Sequence, residues 1–446
     1  MSERSIFTAA VNAGERAVRD RAGFTPVVTP IFPSVGYVYD DLEQLDAVFA
    51  GAAEGPVYTR YGTPTNTALE QAVAVLEGGA AALSYSSGMA AIHGALLAAG
   101  ARAGATVVAA QDVYGATYAL LSKLLVTQGV ATRFVDACDL AATAALVAEC
   151  RPVALLVETI SNPLLNVADL PALAEIAHAT GAVLIVDNTF ATPYLCQPLA
   201  LGADYVVHSA TKYLGGHGDA LGGVVVTSAE RRLALNEINK LVGSNLGVHE
   251  AWLILRGIKT LPLRMQRQCD NAGRVARWLA GQPAVSHVNY PGFEDSPQHA
   301  TASRILGRGA FGAMISFDLR EADRQAVWRF MAALKLILPA TTLGDVYSLT
   351  LYPAMSSHRS LDPATRRGIG IGDGLVRLSI GIEDPADIIA DLAQALKSRT
   401  YAVARHCERS LRSNLPRQAG DCFVLKDAGA IAHSTPRNDR DEEPSA

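Results

Sequence analysis

Tyr205-Val206-Val207-His208-Ser209-Ala210-Thr211-Lys212-Tyr213-Leu214-Gly215-Gly216-His217 places a lysine just past a short apolar run. Two hydroxyl residues precede the lysine and two glycines follow it. The apolar run reads as a buried strand, so the lysine falls at the end of a rigid element. A lysine held there and partly removed from water can lose its proton and attack a carbonyl carbon. Ser209 and Thr211 can hydrogen-bond a phosphate beside it, and the glycines let backbone approach a bulky ligand. Together these residues suit a Schiff-base lysine, Lys212, holding pyridoxal phosphate. Taken alone, a loop lysine is more often a solvated surface charge.

The same strand signature recurs along the chain. Ala81-Ala82-Leu83-Ser84-Tyr85 leads into a helix after Gly88, and Ala105-Thr106-Val107-Val108-Ala109 precedes a helix around Tyr118 to Thr127. Val153–Val157 ends at Glu158, Val183–Val186 at Asp187, and Gly223–Val226 closes the series. Continuous apolar strands alternating with helices predict an α/β fold whose mostly parallel sheet is covered on both faces. Ligands bind such sheets beyond the carboxyl ends of the strands. Ser86 and Ser87, Glu158 and Asn162, Asp187 and Asn188, and the Lys212 turn all fall on that edge.

Residues 63–260 are expected to form this larger domain. One long helix is expected from Leu246 past Arg264, and 261–400 reads as a smaller α/β domain. Pro26, Pro30 and Pro33 break residues 1–62 into short pieces, which suggests an extended arm. Residues 401–446, rich in Arg, Asp, Glu, Ser and Pro, read as a disordered tail.

Several residues have two readings each. Asp187 can pair with a pyridinium nitrogen and keep the ring an electron sink, or simply cap the next helix. Ser87-Gly88-Met89 opens a helix whose free amides suit a phosphate, or it is an ordinary Ser cap. Tyr58 and Arg60, two apart in an extended segment, would share a face and could bind a phosphate. Tyr114 could stack on a flat ring or merely pack. Arg377, within Leu375-Val376-Arg377-Leu378-Ser379, needs an anion: a substrate carboxylate or a structural Asp or Glu.

The bulk composition narrows the function classes. The chain has 446 residues, half of them hydrophobic, which suffices for a large core and more than one domain. A formal charge of −5 gives no reason to expect nucleic acid or an anionic membrane as partner. No apolar run is long enough to span a bilayer, and the N-terminus carries no signal-peptide pattern. The six cysteines are scattered without a CxxC pair, which points to reduced thiols in the cytoplasm and to no zinc site. Dinucleotide, P-loop, GxSxG and HExxH motifs are absent, and no metal is expected.

The motifs in their order resemble the Cys/Met-metabolism group of pyridoxal-phosphate enzymes. They run Tyr58-x-Arg60, Ser86-Ser87-Gly88-Met89-Ala90-Ala91, Tyr114-Gly115, Glu158-x-x-x-Asn162-Pro163, Val186-Asp187-Asn188-Thr189-Phe190 and Ser209-Ala210-Thr211-Lys212-Tyr213-Leu214. Leu255-Arg256-Gly257-Ile258-Lys259 and Val376-Arg377-Leu378-Ser379-Ile380-Gly381-Ile382-Glu383 complete the set. The resemblance covers roughly residues 5 to 400. It implies a fold type I, aspartate-aminotransferase-like architecture. It also implies γ-elimination or γ-replacement on homoserine-derived sulfur amino acids, as in cystathionine γ-synthase, cystathionine γ-lyase, methionine γ-lyase and the O-acyl-homoserine sulfhydrylases.

The resemblance also assigns roles. Lys212 would form the Schiff base and shuttle protons. Asp187 would pair with the pyridine nitrogen, with Asn162 near the ring hydroxyl. Tyr114 would stack on the ring and help protonate the leaving group. Gly88, Met89, Ser209 and Thr211 would hold the phosphate. Tyr58 and Arg60 would reach the phosphate of a neighbouring subunit in a homotetramer built from dimers. Arg377 would clamp the substrate carboxylate, with Ser348 nearby.

Where cystathionine γ-lyases carry charged residues for the distal amino-acid head, this chain has Val57, Ala119 and Tyr347. That favours a small or apolar distal group, such as that of methionine or an acyl-homoserine. Ala116, where methionine γ-lyases tend to carry cysteine, weakens the methionine reading and keeps cystathionine synthesis in play. A catalytically silent scaffold is the alternative from another class; an intact Lys212, Asp187 and Arg377 argue against it.

Overall fold

The computed structural model describes residues 4–16, 23–321, 323–359 and 362–398. The expected tail over 401–446 lies outside them. Among the described residues seven strands build the larger sheet: β1 (Ala81–Tyr85), β2 (Thr106–Ala110), β3 (Ala131–Val135), β4 (Ala154–Glu158), β5 (Val183–Asp187), β6 (Tyr205–Ser209) and β7 (Gly223–Thr227). Their order across the sheet is β1-β7-β6-β5-β4-β2-β3. From β3 to β6 all neighbours are parallel, while β7 runs antiparallel to both β6 and β1. The sheet is thus mostly parallel, as the alternation of apolar strands with helices predicts.

Both faces are covered. In β2, Val107 and Ala109 enter one hydrophobic cluster while Val108 and Ala110 enter another. Alternation of side chains across a strand sends them to opposite layers. β3 has no continuous apolar run: it lies at the edge, with exposed Ala131 and Arg133. That is why the sequence pattern does not announce it.

The smaller sheet contains β8 (Val285–Asn289), β9 (Met314–Leu319), β10 (Leu338–Pro339), β11 (Leu349–Leu351) and β12 (Leu375–Ser379), in the order β10-β11-β12-β9-β8. β12 is therefore an inner strand, antiparallel to β11 and β9.

The single long helix expected from Leu246 is two helices, Val248–Ile258 and Leu261–Ala280. Pro262 lies in the first turn of the second. Its fixed φ suits a helix start, and its missing N–H cannot continue a preceding one. Leu261, Met265 and Cys269 of this second helix pack into the large-sheet core. Ala272, Val275, Ala276 and Leu279, further along it, pack into the core of the smaller sheet.

Before Thr63 the described residues hold two short α-helices, Ile6–Asn12 and Leu42–Phe49, one turn of 3₁₀ helix, Thr59–Tyr61, and no named strand. Phe24, Val27, Val35, Leu42 and Phe49 face outward there and Val38 is 97% exposed, while Ile6 and Ala10 join the large-sheet core. No helix among the described residues is long and apolar enough to cross a membrane. No group of titratable side chains among them could hold a metal ion.

Candidate active site

The parallel register sets the site. Glu158 at the end of β4 lies opposite Asp187 at the end of β5, and Asp187 lies opposite Val207 in β6. The turn carrying Lys212 therefore leaves β6 at the same edge. Beyond it lies a cleft of about 340 Å³, the scale of a small-molecule site. Tyr114, Asn162, Asp187, Ser209, Lys212 and Arg377 all line it.

Lys212 Nζ donates to Thr342 Oγ1 at 2.9 Å. Burial, and then the charge of Arg377, press its amine below the ordinary lysine range, with Asp345 partly opposing them. Asp187 Oδ1 accepts from Thr189 N at 2.9 Å and from Thr189 Oγ1 at 2.5 Å. Thr189 Oγ1 also accepts from Ser209 N at 2.8 Å, which ties the end of β5 to the end of β6. Both of the Asp187 side-chain hydrogen bonds fall on Oδ1, the carboxylate oxygen nearer Thr189. Burial raises this carboxyl group above its usual range, while the Thr189 bonds and the charge of His208 pull the other way.

A buried polar network lies behind these strand ends. His208 Nε2 pairs with Glu77 Oε1 at 2.5 Å, and Asn188 Nδ2 donates to the same oxygen at 2.8 Å. Thr159 Oγ1 donates to Asn188 Oδ1 at 2.7 Å.

Arg377 is 3% exposed. Its Nη1 donates to Asn162 Oδ1 at 2.8 Å and its Nη2 to Thr342 O at 3.3 Å. Its Nε is buried without a partner, and no Asp or Glu among the described residues forms an ion pair with it. Of its two readings, the structural carboxylate is the one this geometry does not supply. Burial lowers the guanidinium pKa to about 10.

Tyr114 stands at the head of the helix Gly115–Ala119 with 39% of its surface exposed. Its backbone N–H donates to Glu158 Oε1 at 2.7 Å. Ser87 caps the helix Gly88–Ala98 by accepting from Ala90 N, so the ordinary cap reading is realised. The same helix start lies beside the cleft: a Cβ on Gly88 would fall 2.8 Å from Ser209 Cβ. Free helix-start amides and the Ser209 hydroxyl thus adjoin one another, an arrangement that suits a phosphate. Met89 Sδ accepts from Thr117 Oγ1 at 3.9 Å.

Other expected residues stand elsewhere. Thr211 Oγ1 exchanges hydrogen bonds with Gly222, donating to its O at 3.2 Å and accepting from its N at 3.0 Å. Tyr58 and Arg60 do not share an extended strand, because Thr59–Tyr61 is a turn of 3₁₀ helix. Arg60 Nη1 donates to Lys240 O at 2.5 Å, its guanidinium lies over the Tyr58 and Tyr61 rings, and neither Tyr58 nor Arg60 lines the Lys212 cleft of its own chain. Ser348 is buried with its Oγ donating to Glu383 Oε2 at 2.9 Å and accepting from Gly381 N, away from the cleft wall. Val57, Ala119 and Tyr347 do not line it either.

The family model for Cys/Met metabolism PLP-dependent enzymes matches residues 7–397. The chain belongs to this family. It is 43% identical over 374 residues to an L-methionine γ-lyase from Pseudomonas putida, which covers 83% of this chain and 93% of that protein. It is 45% identical over 352 residues to a cystathionine γ-lyase from Bacillus subtilis, covering 78% of this chain and 90% of the relative. The crystal structure of cystathionine γ-synthase from Xanthomonas oryzae pv. oryzae in complex with cystathionine superposes with a TM-score of 0.82 at 38% identity, over 88% of this chain and 98% of that one. Pyridoxal phosphate is the family's cofactor, and the fold is the family's fold type I.

Sequence reasoning missed Thr189 and Ser357 as parts of the cleft, and Thr342 as the partner of Lys212 and Arg377. Thr189 had a readable signal, since a hydroxyl two residues after an Asp bonds back to it. Thr342 and Ser357 reach the site through loops of the second sheet, and no local pattern marks them.

Proposed function

We propose that this chain eliminates or exchanges the γ-substituent of a homoserine-derived sulfur amino acid, with pyridoxal phosphate on Lys212. The observation that carries this reading is the buried Arg377, which lacks a carboxylate partner in the wall that also carries Lys212. The α-carboxylate of an amino acid supplies the missing anion, and a planar guanidinium receives it at two points.

The residues present fit the cofactor. Lys212 has a lowered pKa, Asp187 brings a carboxylate to the cleft wall for a ring N–H, and Ser209 adjoins a helix start. When bound, pyridoxal phosphate supplies an electron sink for the pair left on a deprotonated substrate carbon. Lys212, whose amine is held in the cleft wall, would be a base suited to take a proton from Cα and then from Cβ. Arg377 fixes the carboxylate so that these protons face the amine. Tyr114 gives a proton to the departing γ-group.

None of Val57, Ala119 and Tyr347 lines the cleft of its own chain, so their support for a small or apolar distal group rests on sequence position alone; Ala116 keeps acyl-homoserine substrates, with replacement by a thiol, beside methionine in this proposal. Tyr58 and Arg60, away from their own cleft, support a homotetramer in which the arm over 1–62 completes a neighbour's site. The domain limits at 63–260 and 261–400 and a cytoplasmic location belong to the same reading.

The test is a substrate panel. Release of 2-keto acid and ammonia from methionine, cystathionine and acyl-homoserines is compared with thiol incorporation from acyl-homoserine plus cysteine, sulfide or methanethiol. Turnover of at least one γ-substituted substrate is expected. Activity on none of them, with cofactor bound, would leave the silent scaffold as the better account.

A further inference from the structure

Glu158 divides its two carboxylate oxygens between two parts of the cleft. Oε1 accepts from Tyr114 N at 2.7 Å and Oε2 from Asn162 N at 3.0 Å. Asn162 in turn accepts from Arg377 Nη1 at 2.8 Å. One side chain on β4 thereby joins the turn that presents the Tyr114 ring, the loop that presents Asn162 and, through Asn162, a strand of the second sheet. The place is a costly one for an acid, since burial and the neighbouring Asp187 charge both hold the Glu158 carboxyl group well above its usual range. An apolar residue here would avoid that cost but would leave two backbone N–H groups without their acceptor.

We propose that Glu158 is a positioning residue that sets the spacing between the Tyr114 ring and the Asn162–Arg377 clamp across the cleft. The proposal rests on the functional reading above. Its consequence is that cofactor seating and carboxylate capture are linked through one carboxylate in the cleft wall.

Glu158→Gln keeps the size of the side chain but must turn its amide NH₂ toward one of the two N–H donors, so one contact is lost. Glu158→Ala removes both. Full-length wild type and both variants are compared by thermal melting, by absorbance titration with pyridoxal phosphate, and by the dissociation constant of glycine, an unreactive amino acid, read from the bound cofactor's spectrum. Loss of one such contact is expected to weaken glycine about tenfold to a hundredfold in Glu158→Gln. The pH at which the bound cofactor's absorbance changes should move as well, with melting close to wild type.

Glycine affinity and absorbance titration within twofold of wild type would overturn the proposal. So would a lower melting temperature accompanied by unaltered affinity, which is the mark of a purely structural acid. Should Glu158→Ala not fold, Glu158→Gln alone decides. A wild type that takes up no cofactor sinks the functional reading and this proposal with it; unaltered variants beside a competent wild type sink this proposal alone.

Discussion

Replacing Arg377 with methionine separates a substrate clamp from a structural cation, because the two roles move activity and stability in opposite ways. Methionine fills much of the same volume without charge. In the folded protein the change removes donors to Asn162 Oδ1 and Thr342 O, at a cost of about 1 kcal/mol each. It also removes a buried cation that has no carboxylate partner and an already orphaned Nε, a burden of several kcal/mol. The apoprotein should therefore melt at the wild-type temperature or above it. A substrate carboxylate deprived of its buried partner loses about 2–5 kcal/mol, which is roughly thirtyfold to a few thousandfold in kcat/KM. Steady-state kinetics on the best wild-type substrate, beside calorimetric melting of the apoprotein, supplies both numbers. A melting temperature several degrees lower with kcat/KM within threefold of wild type would refute the reasoning.

Gly115→Ala should lower kcat/KM at least tenfold with little loss of helix content. A Cβ there would fall 1.8 Å from Ser357 O, so the loop over the cleft must shift; kinetics and circular dichroism check this. His208→Ala leaves Glu77 Oε1 with one donor fewer while Oε2 already lacks one, and should cost about 1–3 kcal/mol. Urea unfolding should show a lower midpoint at unchanged slope. The raised carboxyl groups of Asp187 and Glu158 make the folded apoprotein bind more protons than the unfolded chain between the ordinary carboxylate range, about 4, and their folded values. Their stabilising contribution is complete below that window and is lost as pH rises through it. Melting temperature against pH should accordingly fall more steeply for wild type than for an Asp187→Asn, Glu158→Gln double variant; parallel curves would contradict the sign.

What could be read from sequence followed the local periodicities. Apolar runs ending in Glu158, Asp187 and Ser209 gave both strand and strand end, because a doubly covered parallel sheet needs side chains apolar on both faces. Convergence of the polar residues after them followed from that geometry. β3 escaped because an edge strand carries exposed residues. The Thr59–Tyr61 turn escaped because a Tyr-x-Arg pattern looks the same whether extended or coiled. The break before Leu261 was marked by Pro262, but the apolar stripe on either side of it outweighed that signal. Contacts between distant segments, such as Lys212 with Thr342 or Ser348 with Glu383, have no local signature. Arg377 was the exception: a guanidinium in an apolar strand demands an anion wherever the chain goes.

The helix Leu261–Ala280 spans about 30 Å and is rooted in both hydrophobic cores, with Gln268 and Asn271 near its midpoint holding backbone carbonyls of Asp345, Ile380, Gly381 and Glu383. It is a shared beam. A continuous helix, and not a loose connector, ties the core of one sheet to the core of the other. Unfolding of this helix is expected to loosen both cores at once, so cofactor retention should track the integrity of one helix that contributes no residue to the cleft wall.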